Sequence, residues 1–538
     1  MSSLQPHVSD AVDALYEQAI EQVERGHNAF TVACTLTPEN LHEFDDARAG
    51  WHHQYGLGSH FRAMVLRELW DYGWQDLHRT LSKHDRARTI GYDPEKIPEG
   101  KDAPHRTTLS RAWNNYLGDD VKQVVEDLCG HIRDFARETG NLLGSQTLSV
   151  EDKEDVSPRT EYRVKRRTAH EAADQFREVF YDKIDLGLPE GAAYTKEDLL
   201  DLFLHMAFSN DFANNGAKTW REEVDDESTA PSGETLRNYI RIFDELDDGK
   251  VSEMFDALSD ILWKMADRRG YLDGFVDVAI DGHNWLYYGD SETPRISSVN
   301  PDRGTNKAYQ FLTLSVVGDE GEKFTLAVRQ VTSKQEKLEA VKAMVKIADE
   351  RVFIRDAILD RGFAEVLFAQ ALLETGVNFV IRARRNSKTK SMWMESKDGV
   401  NVEHGVTMSR SRPPYESVTI TRLVLPARER VDYEYITFIT NRELTRRQAR
   451  RIGKSYERRW GIETSYRVTQ DFLPRTASTD FALRQFYYRL SVLLYNIWVL
   501  VNAVVEKSID HPSDASPPVT AKYLLVVLRN KHGDQSVT

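Results

Sequence analysis

Cysteine is almost missing from this 538-residue chain: Cys34 and Cys129 stand far apart, and neither belongs to a Cys-x-x-Cys pair. That excludes a disulfide framework and a cysteine zinc finger. The sixteen histidines include no His-Glu-x-x-His, and the cluster His52, His53 and His60 lacks a second set of ligands. Long hydrophobic runs are scarce too. The most apolar late stretch, VLLYNIWVLVNAVV (492–505), carries Asn496 and Asn502. It falls short of the ~18 residues that suggest a membrane span, so it reads as a buried helix. The opening MSSLQPHVSDAVDALYEQ has no basic n-region and no apolar h-region, so no signal peptide is expected, and the location expected is cytoplasmic, on the nucleoid.

Positive charge is in deficit overall, with a formal net charge of −14. A hydrophobic content of 40% and a charged content of 29% are those of a soluble globular protein. A chain this long has room for about two to four domains, each with its own core. The net charge speaks against a nucleic-acid partner, but the cations are 47 Arg and 24 Lys, mainly the bidentate, phosphate-matching kind. They are also unevenly placed. Residues 441–489 hold twelve Lys/Arg against five Asp/Glu. The acidic remainder suits solubility in high salt, as in a haloarchaeon-like acidic proteome. Locally basic and globally acidic is compatible with DNA binding.

The order of the chain predicts a mainly α N-terminal DNA-binding region followed by an α/β catalytic core. Residues 1–150 form a helical domain, with SHFRAMVLRELWDYGWQDLHRTL (59–81) leading to APHRTTLSRAWNNYL (103–117). Residues 151–268 are a linker or exposed helix plus a second helical unit, TKEDLLDLFLHMAF (195–208), a loop, and APSGETLRNYIRIFDEL (230–246). Each unit is either a helix-turn-helix, with Arg111 and Asn114 or Arg237, Asn238 and Arg241 as DNA readers, or a plain helical hairpin with a solvated face. From 269 to 385 strands and helices alternate as β-β-β-α-β-α-β, a mixed sheet of RNase H-like type. Residues 386–432 read as a β-rich insertion. A returning strand and a basic helix, one long or two, follow in 433–505, and 506–538 is a C-terminal tail.

Three carboxylates stand out by position. Asp281 ends the first strand before Gly282, Asp360 ends the fourth before Arg361-Gly362-Phe363, and Glu463 lies in the basic SYERRWGIETSYR (455–467). Ligands gather at strand ends in α/β sheets, so the two aspartates can share a site. Adjacent carboxylates repel unless a cation sits between them, and hard oxygen ligands suit Mg²⁺ or Mn²⁺. A third carboxylate completes a two-metal arrangement. Asp277 and Asp356 compete on the same strands with the same side-chain parity; the later pair is preferred because it lies at the strand exits. On a helix, Tyr456, Arg459, Glu463 and Arg467 share one face, either a surface ion-pair ladder or a carboxylate among phosphate-binding cations. Trp460 either stacks on a flipped base or packs in the core. Arg382, Arg384, Arg385, Lys388 and Lys390 either track a DNA backbone or form a solvated strand edge.

These residues resemble those of a DDE transposase of an insertion sequence, in the broad IS-four-like group with an RNase H-like catalytic core. Its helix signature is Tyr-x2-Arg-x3-Glu-x6-Lys, matched by Tyr456, Arg459 and Glu463. Asp281-Gly282 and the Leu-Asp-Arg-Gly-Phe at 359–363 match the surroundings of the two aspartates. The resemblance covers about residues 270–500. One position departs: the signature lysine falls at Gln470, leaving Arg467 or Arg475 as the substitute cation. The resemblance implies that Asp281, Asp360 and Glu463 are catalytic and hold two Mg²⁺ or Mn²⁺ ions, with Tyr456 and Arg459 on the phosphate. It implies double-stranded DNA partners, namely terminal inverted repeats and target, bound by a homodimer, with cleavage followed by strand transfer. No membrane and no small-molecule substrate are implied. A domesticated DNA-binding protein and an RNase H-like nuclease are the alternatives.

Overall fold

The computed structural model describes residues 6–38, 55–139 apart from 84 and 99, 143, 158–223, 230–245, 249–318, 323–509 apart from 397–398, 415 and 428–433, and 516–529. His52, His53 and the polar stretch 150–157 lie outside the described residues. The chain divides into two compact units, Met1–Asp152 with Trp263–Val276, and Lys153–Leu262 with Asp277–Thr538.

The first unit is helical. It holds α1 (Pro6–Glu24), α2 (Ala29–Thr35), α3 (Leu57–Leu69), α4 (Trp74–Leu81), α5 (Arg86–Thr89), α6 (Arg106–Arg111) and α7 (Asp119–Glu138). The apolar faces of these helices meet in one cluster that includes Phe30, Phe61, Leu66, Leu128 and Ile132. A buried polar network closes it. The Asn28 side chain caps α2 at Thr31 and donates to Asp273, which also receives Arg86 at 2.7 Å. Two expectations change here. The periodic run 59–81 breaks into α3 and α4 because the chain turns between them, with Asp71 at a left-handed φ of 52°. The run 103–117 forms only the six-residue α6 and a π-helical turn, Ala112–Tyr116, where Asn114 bonds Ser110. Arg111 and Asn114 therefore lie on a short helix that passes from α to π geometry between them.

The second unit opens with α8 (Pro158–Gln175), α9 (Lys196–Ser209), α10 (Ala213–Glu223) and α11 (Gly233–Glu245), followed by α12 (Lys250–Arg268), which runs on into the residues of the first unit. The segment expected as a loop between α9 and α11 contains α10, so this group has three helices. Gly233 shows why the third fits: a Cβ there would lie 2.3 Å from the Ala213 carbonyl carbon, a contact between backbones that only glycine permits.

Among the described residues the sheet has nine strands: β1 (Phe275–Leu286), β2 (Ser297–Asp302), β3 (Thr305–Val317), β4 (Thr325–Val331), β5 (Phe353–Leu359), β6 (Phe379–Ala383), β7 (Asn401–Ser409), β8 (Ser417–Pro426) and β9 (Tyr435–Thr440). Their order is β2-β3-β1-β5-β6-β9-β8-β7, with β4 also on β3. β1 and β3 are antiparallel and β5 and β6 parallel, so the sheet is mixed, as expected. Its helices are α13 (Lys334–Asp349), α14 (Val366–Glu374), α15 (Ser387–Glu395), α16 (Arg446–Arg458), α17 (Trp460–Asp471), α18 (Phe481–Ile509) and α19 (Ala521–Arg529). Two features were not expected. β2 adds a strand beyond β3, and the insertion carries helix α15 before β7 and β8 continue the same sheet through β9.

Packing follows the strand period of two. Ala279, Ile358, Val380, Leu423 and Phe438 line one face and meet Ala449, Ile452, Tyr456 and Ile462 of α16 and α17. Helix α18 is long and apolar enough to cross a membrane, yet the window that meets that criterion is 83% buried within the protein. Its Asn496 accepts from the Thr325 amide and donates to the Thr325 carbonyl (2.9 and 2.8 Å), satisfying the edge of β4. It is a core helix.

Candidate active site

On β1, Asp277 and Asp281 share a sheet face with Ala279; on β5, Asp356 and the strand-ending Asp360 share one with Ile358. The structure assigns the two earlier aspartates to buried ion pairs. Asp277 is 0% exposed, takes both Nε and Nη2 of Arg355 at 2.9 Å, and takes Arg458 Nη1 at 2.9 Å. Asp356 is held by Arg442 through both carboxylate oxygens, at 3.0 and 2.7 Å. These pairs tie α16, and the segment leading into it, to the sheet.

The two later aspartates open toward α17. Asp281 Oδ1 accepts from the Gly282 amide at 2.9 Å, and its Oδ2 accepts from Arg459 Nη1 at 2.9 Å. Asp360 caps the short 3-10 turn Arg361–Phe363 by accepting from the Gly362 amide at 2.8 Å. Glu463 is exposed in the first turn of α17, with Oε1 3.6 Å from Arg459 Nη2. Helix α17 is pinned from behind: the Tyr466 hydroxyl pairs with Thr313 of β3 at 2.7 Å, and Ser465 receives the Tyr495 hydroxyl at 2.8 Å. Glu463 is thereby presented on a braced helix beside Asp281, which lies inside β1 and not at its end as expected, because pairing with β3 continues to Leu286.

Electrostatics couples the three carboxylates. Burial pushes the Asp281 carboxyl up, Arg459 pulls it back down, and the charges of Asp360 and Glu463 raise it again. Lys337 of α13 feels both Asp360 and Asp281, while burial lowers its own pKa; its ammonium lies 4.1 Å from the centre of the Phe363 ring. No local pattern singled out Lys337, because α13 reads as an ordinary amphipathic helix and only the fold brings it within reach of Asp360 and Asp281.

Among the described residues, no three His, Cys, Asp or Glu side chains already form a cage. What joins Asp281 to Glu463 is the Arg459 guanidinium, a cation between two carboxylates. Hard oxygen donors with like-charge repulsion across a partly open site are a donor set that fits Mg²⁺ or Mn²⁺.

The remaining candidate residues are dispersed. The basic stretch forms two helices, broken at Arg459, rather than one. Tyr456 is 4% exposed and packs against Phe438, so it braces α16 instead of offering its hydroxyl to solvent. Arg467 is exposed one turn beyond Glu463. Gln470, at the position of the signature lysine, meets His283 at 3.2 Å, and Arg475 is exposed past the end of α17. Trp460 opens α17, and its side chain lies outside the described residues. Arg382, Arg384, Arg385 and Lys390 line a cleft of about 910 Å³ with Trp393 and Tyr435, whereas Lys388 turns to Glu403 at 3.1 Å. In the helical part of the second unit, Arg237 bonds Asn214, Asn238 is exposed and Arg241 pairs with Asp480 at 3.0 Å.

Comparison with known proteins adds two findings. Residues 274–497 match the family described as Transposase DDE domain. Among solved structures, the chain is similar to a piggyBac transposase, seen by cryo-EM in a synaptic complex with hairpin DNA, at 12% identity and a TM-score of 0.40. That match covers 71% of this chain and 81% of the other. No curated protein matches the chain.

Proposed function

We propose that the chain is a DDE transposase, with an RNase H-like core, that binds terminal inverted repeats as a homodimer and cuts and joins DNA. The observation that carries this reading is the Arg459 guanidinium held between Asp281, inside β1, and Glu463, on α17, within reach of the charge of Asp360 just past the end of β5. The family match over that same stretch supports it.

Asp281, Asp360 and Glu463 are the residues that would hold Mg²⁺ or Mn²⁺. Bound by those side chains, the ions would supply the charge that polarises a scissile phosphate and makes an attacking oxygen a better nucleophile at neutral pH. The chain's own residues set the stage. Tyr466, Ser465 and Tyr495 hold α17, and Asp277 with Arg458 holds α16, so that Glu463 and Arg459 meet Asp281 in a fixed geometry. Arg459 and Lys337 place two cations at the carboxylates, where the charge of a phosphodiester is compensated. Water attack on the phosphodiester leaves a 3′-hydroxyl, and that hydroxyl then attacks target DNA, so one set of side chains serves both displacements.

Supercoiled plasmid carrying matched inverted repeats, incubated with the protein and Mg²⁺, should be cut and its ends joined to a target. Asp281→Ala, Asp360→Ala and Glu463→Ala should each abolish cutting; undiminished cutting by all three would refute the assignment. Cutting without joining indicates a nuclease, and binding without cutting a DNA-binding derivative.

A further inference from the structure

Helix α16 carries a second feature that the active site does not use. Arg446, Arg447, Arg450, Arg451 and Lys454 are all exposed. Their spacing, i, i+1, i+4, i+5, i+8, puts them on one side of the helix. Ala449, Ile452 and Tyr456 occupy the other side and are buried against the sheet. Gly453 lets that side lie close, since a Cβ there would meet Leu425 of β8 at 3.3 Å. The cationic side therefore faces solvent because the apolar side is fixed.

This arrangement works against helix stability. Arg446, Arg447, Arg451 and Lys454 have no acidic partner among the described residues. From 443 to 458 the only carboxylates are Glu443 and Glu457. Arg446 with Arg450, Arg447 with Arg451, and Arg450 with Lys454 are like-charged i,i+4 pairs, which destabilise a helix. Arg446 and Arg447 also stand in the first turn, at the positive end of the helix dipole, where no acidic residue offsets them. On α8, by contrast, Lys165 pairs with Glu161 and Arg167 with Glu171. In a chain of net charge −14, four cations on one helix face with no acidic partner among the described residues, placed against helix preference, suit a polyanion.

We infer that this stripe on α16 is a duplex-DNA backbone clamp, contacting phosphates irrespective of sequence. From Arg446 to Lys454 the stripe rises about 12 Å along the helix axis, the length of about three to four nucleotides of one strand. Guanidiniums match phosphate oxygens bidentately, and contacts of this kind position a duplex without reading it. The clamp deepens the proposed function and rests on it for its setting, since α17 and Glu463 follow α16 directly in the chain.

The test measures binding of a labelled 30-base-pair duplex of mixed sequence, without metal, across a range of NaCl concentrations. Arg446→Gln, Arg447→Gln, Arg451→Gln and Lys454→Gln combined should weaken binding by more than about tenfold at 0.1 M salt. The slope of log affinity against log salt should fall by about 3 to 4, since each phosphate deprived of its cation removes about 0.9. A control with the same charge change elsewhere, Arg25→Gln, Lys96→Gln, Lys101→Gln and Arg137→Gln, should keep most of the native slope, as should the charge-retaining Arg446→Lys, Arg447→Lys, Arg451→Lys. A slope unchanged in the first variant, or lowered equally in the control or in the lysine variant, overturns the clamp. Native protein that binds through α16 but never cuts would sink the transposase reading and leave the clamp standing. Native protein that cuts with an unaltered salt slope in the first variant does the reverse.

Discussion

Asp277 and Asp281 lie four residues apart on one face of β1, and replacing each with asparagine separates a structural carboxylate from a chemical one. Asp277 is wholly buried and holds Arg355 and Arg458 through three contacts of 2.9 Å. Asparagine keeps the shape but removes the charge and turns an amide N–H₂ toward a guanidinium. Breaking one side of a buried ion pair costs about 3–5 kcal/mol. The arginine side chains keep 18% and 24% of their exposure, which favours the lower end, about 3 kcal/mol. The second unit spans roughly 370 residues, and at about 2.1 cal/mol/K per residue its unfolding entropy is near 0.8 kcal/mol/K. Asp277→Asn should therefore lower Tm by about 4 °C. Asp281→Asn should move it by less than about 1 °C, because burial, Asp360 and Glu463 oppose the charge that Arg459 favours. Calorimetry of both variants at pH 7.5 without metal, with plasmid cutting alongside, checks the pair. The second variant should be stable and inactive, the first unstable and partly active when cold. Equal losses of Tm would refute the division of roles.

Three further outcomes are expected. Burial pushes Asp356 up to about 6 from 3.8 despite Arg442. A raised folded value stabilises below the unfolded pKa, and that stabilisation, about 3 kcal/mol, is lost as pH rises through 6. Asp356→Asn should accordingly lose more stability relative to native at pH 4.5 than at pH 7, and a pH-independent difference in denaturant midpoints would contradict this. Lys337→Met removes a cation beside Asp281 and Asp360, so Mn²⁺ should bind more tightly by calorimetric titration while cutting falls by about tenfold or more; looser binding would show that Lys337 does not face the site. Gly233→Ala drives a Cβ into the backbone of α10 and should cost about 1–3 kcal/mol in urea unfolding, whereas a neutral effect would mean that α10 and α11 separate easily.

The sequence by itself determined what local pattern encodes. The strand end at Asp360 is visible because β5 stops before Arg361-Gly362, whereas the stop expected at Gly282 does not occur: β1 stays paired with β3 through Leu286, so Asp281 lies inside the strand. The basic character of 441–489 and the scarcity of Cys are matters of composition. The buried faces of α16 and α18 follow from apolar spacing. Local pattern extends only a few residues along the chain, and the contacts that assign roles reach across the fold. Asp277 and Asp281 have the same parity and similar neighbours, and only the docking of α16 gives the first Arg458 and leaves the second to Arg459. Tyr456 and Glu463 share a predicted face, yet packing against Phe438 buries one while the other stays exposed. Lys337 reaches the carboxylates through the placement of α13, and the insertion strands join the main sheet through β9. A side chain's face is set by the residues beside it; its partner is set by where distant segments pack, and that only the tertiary structure decided.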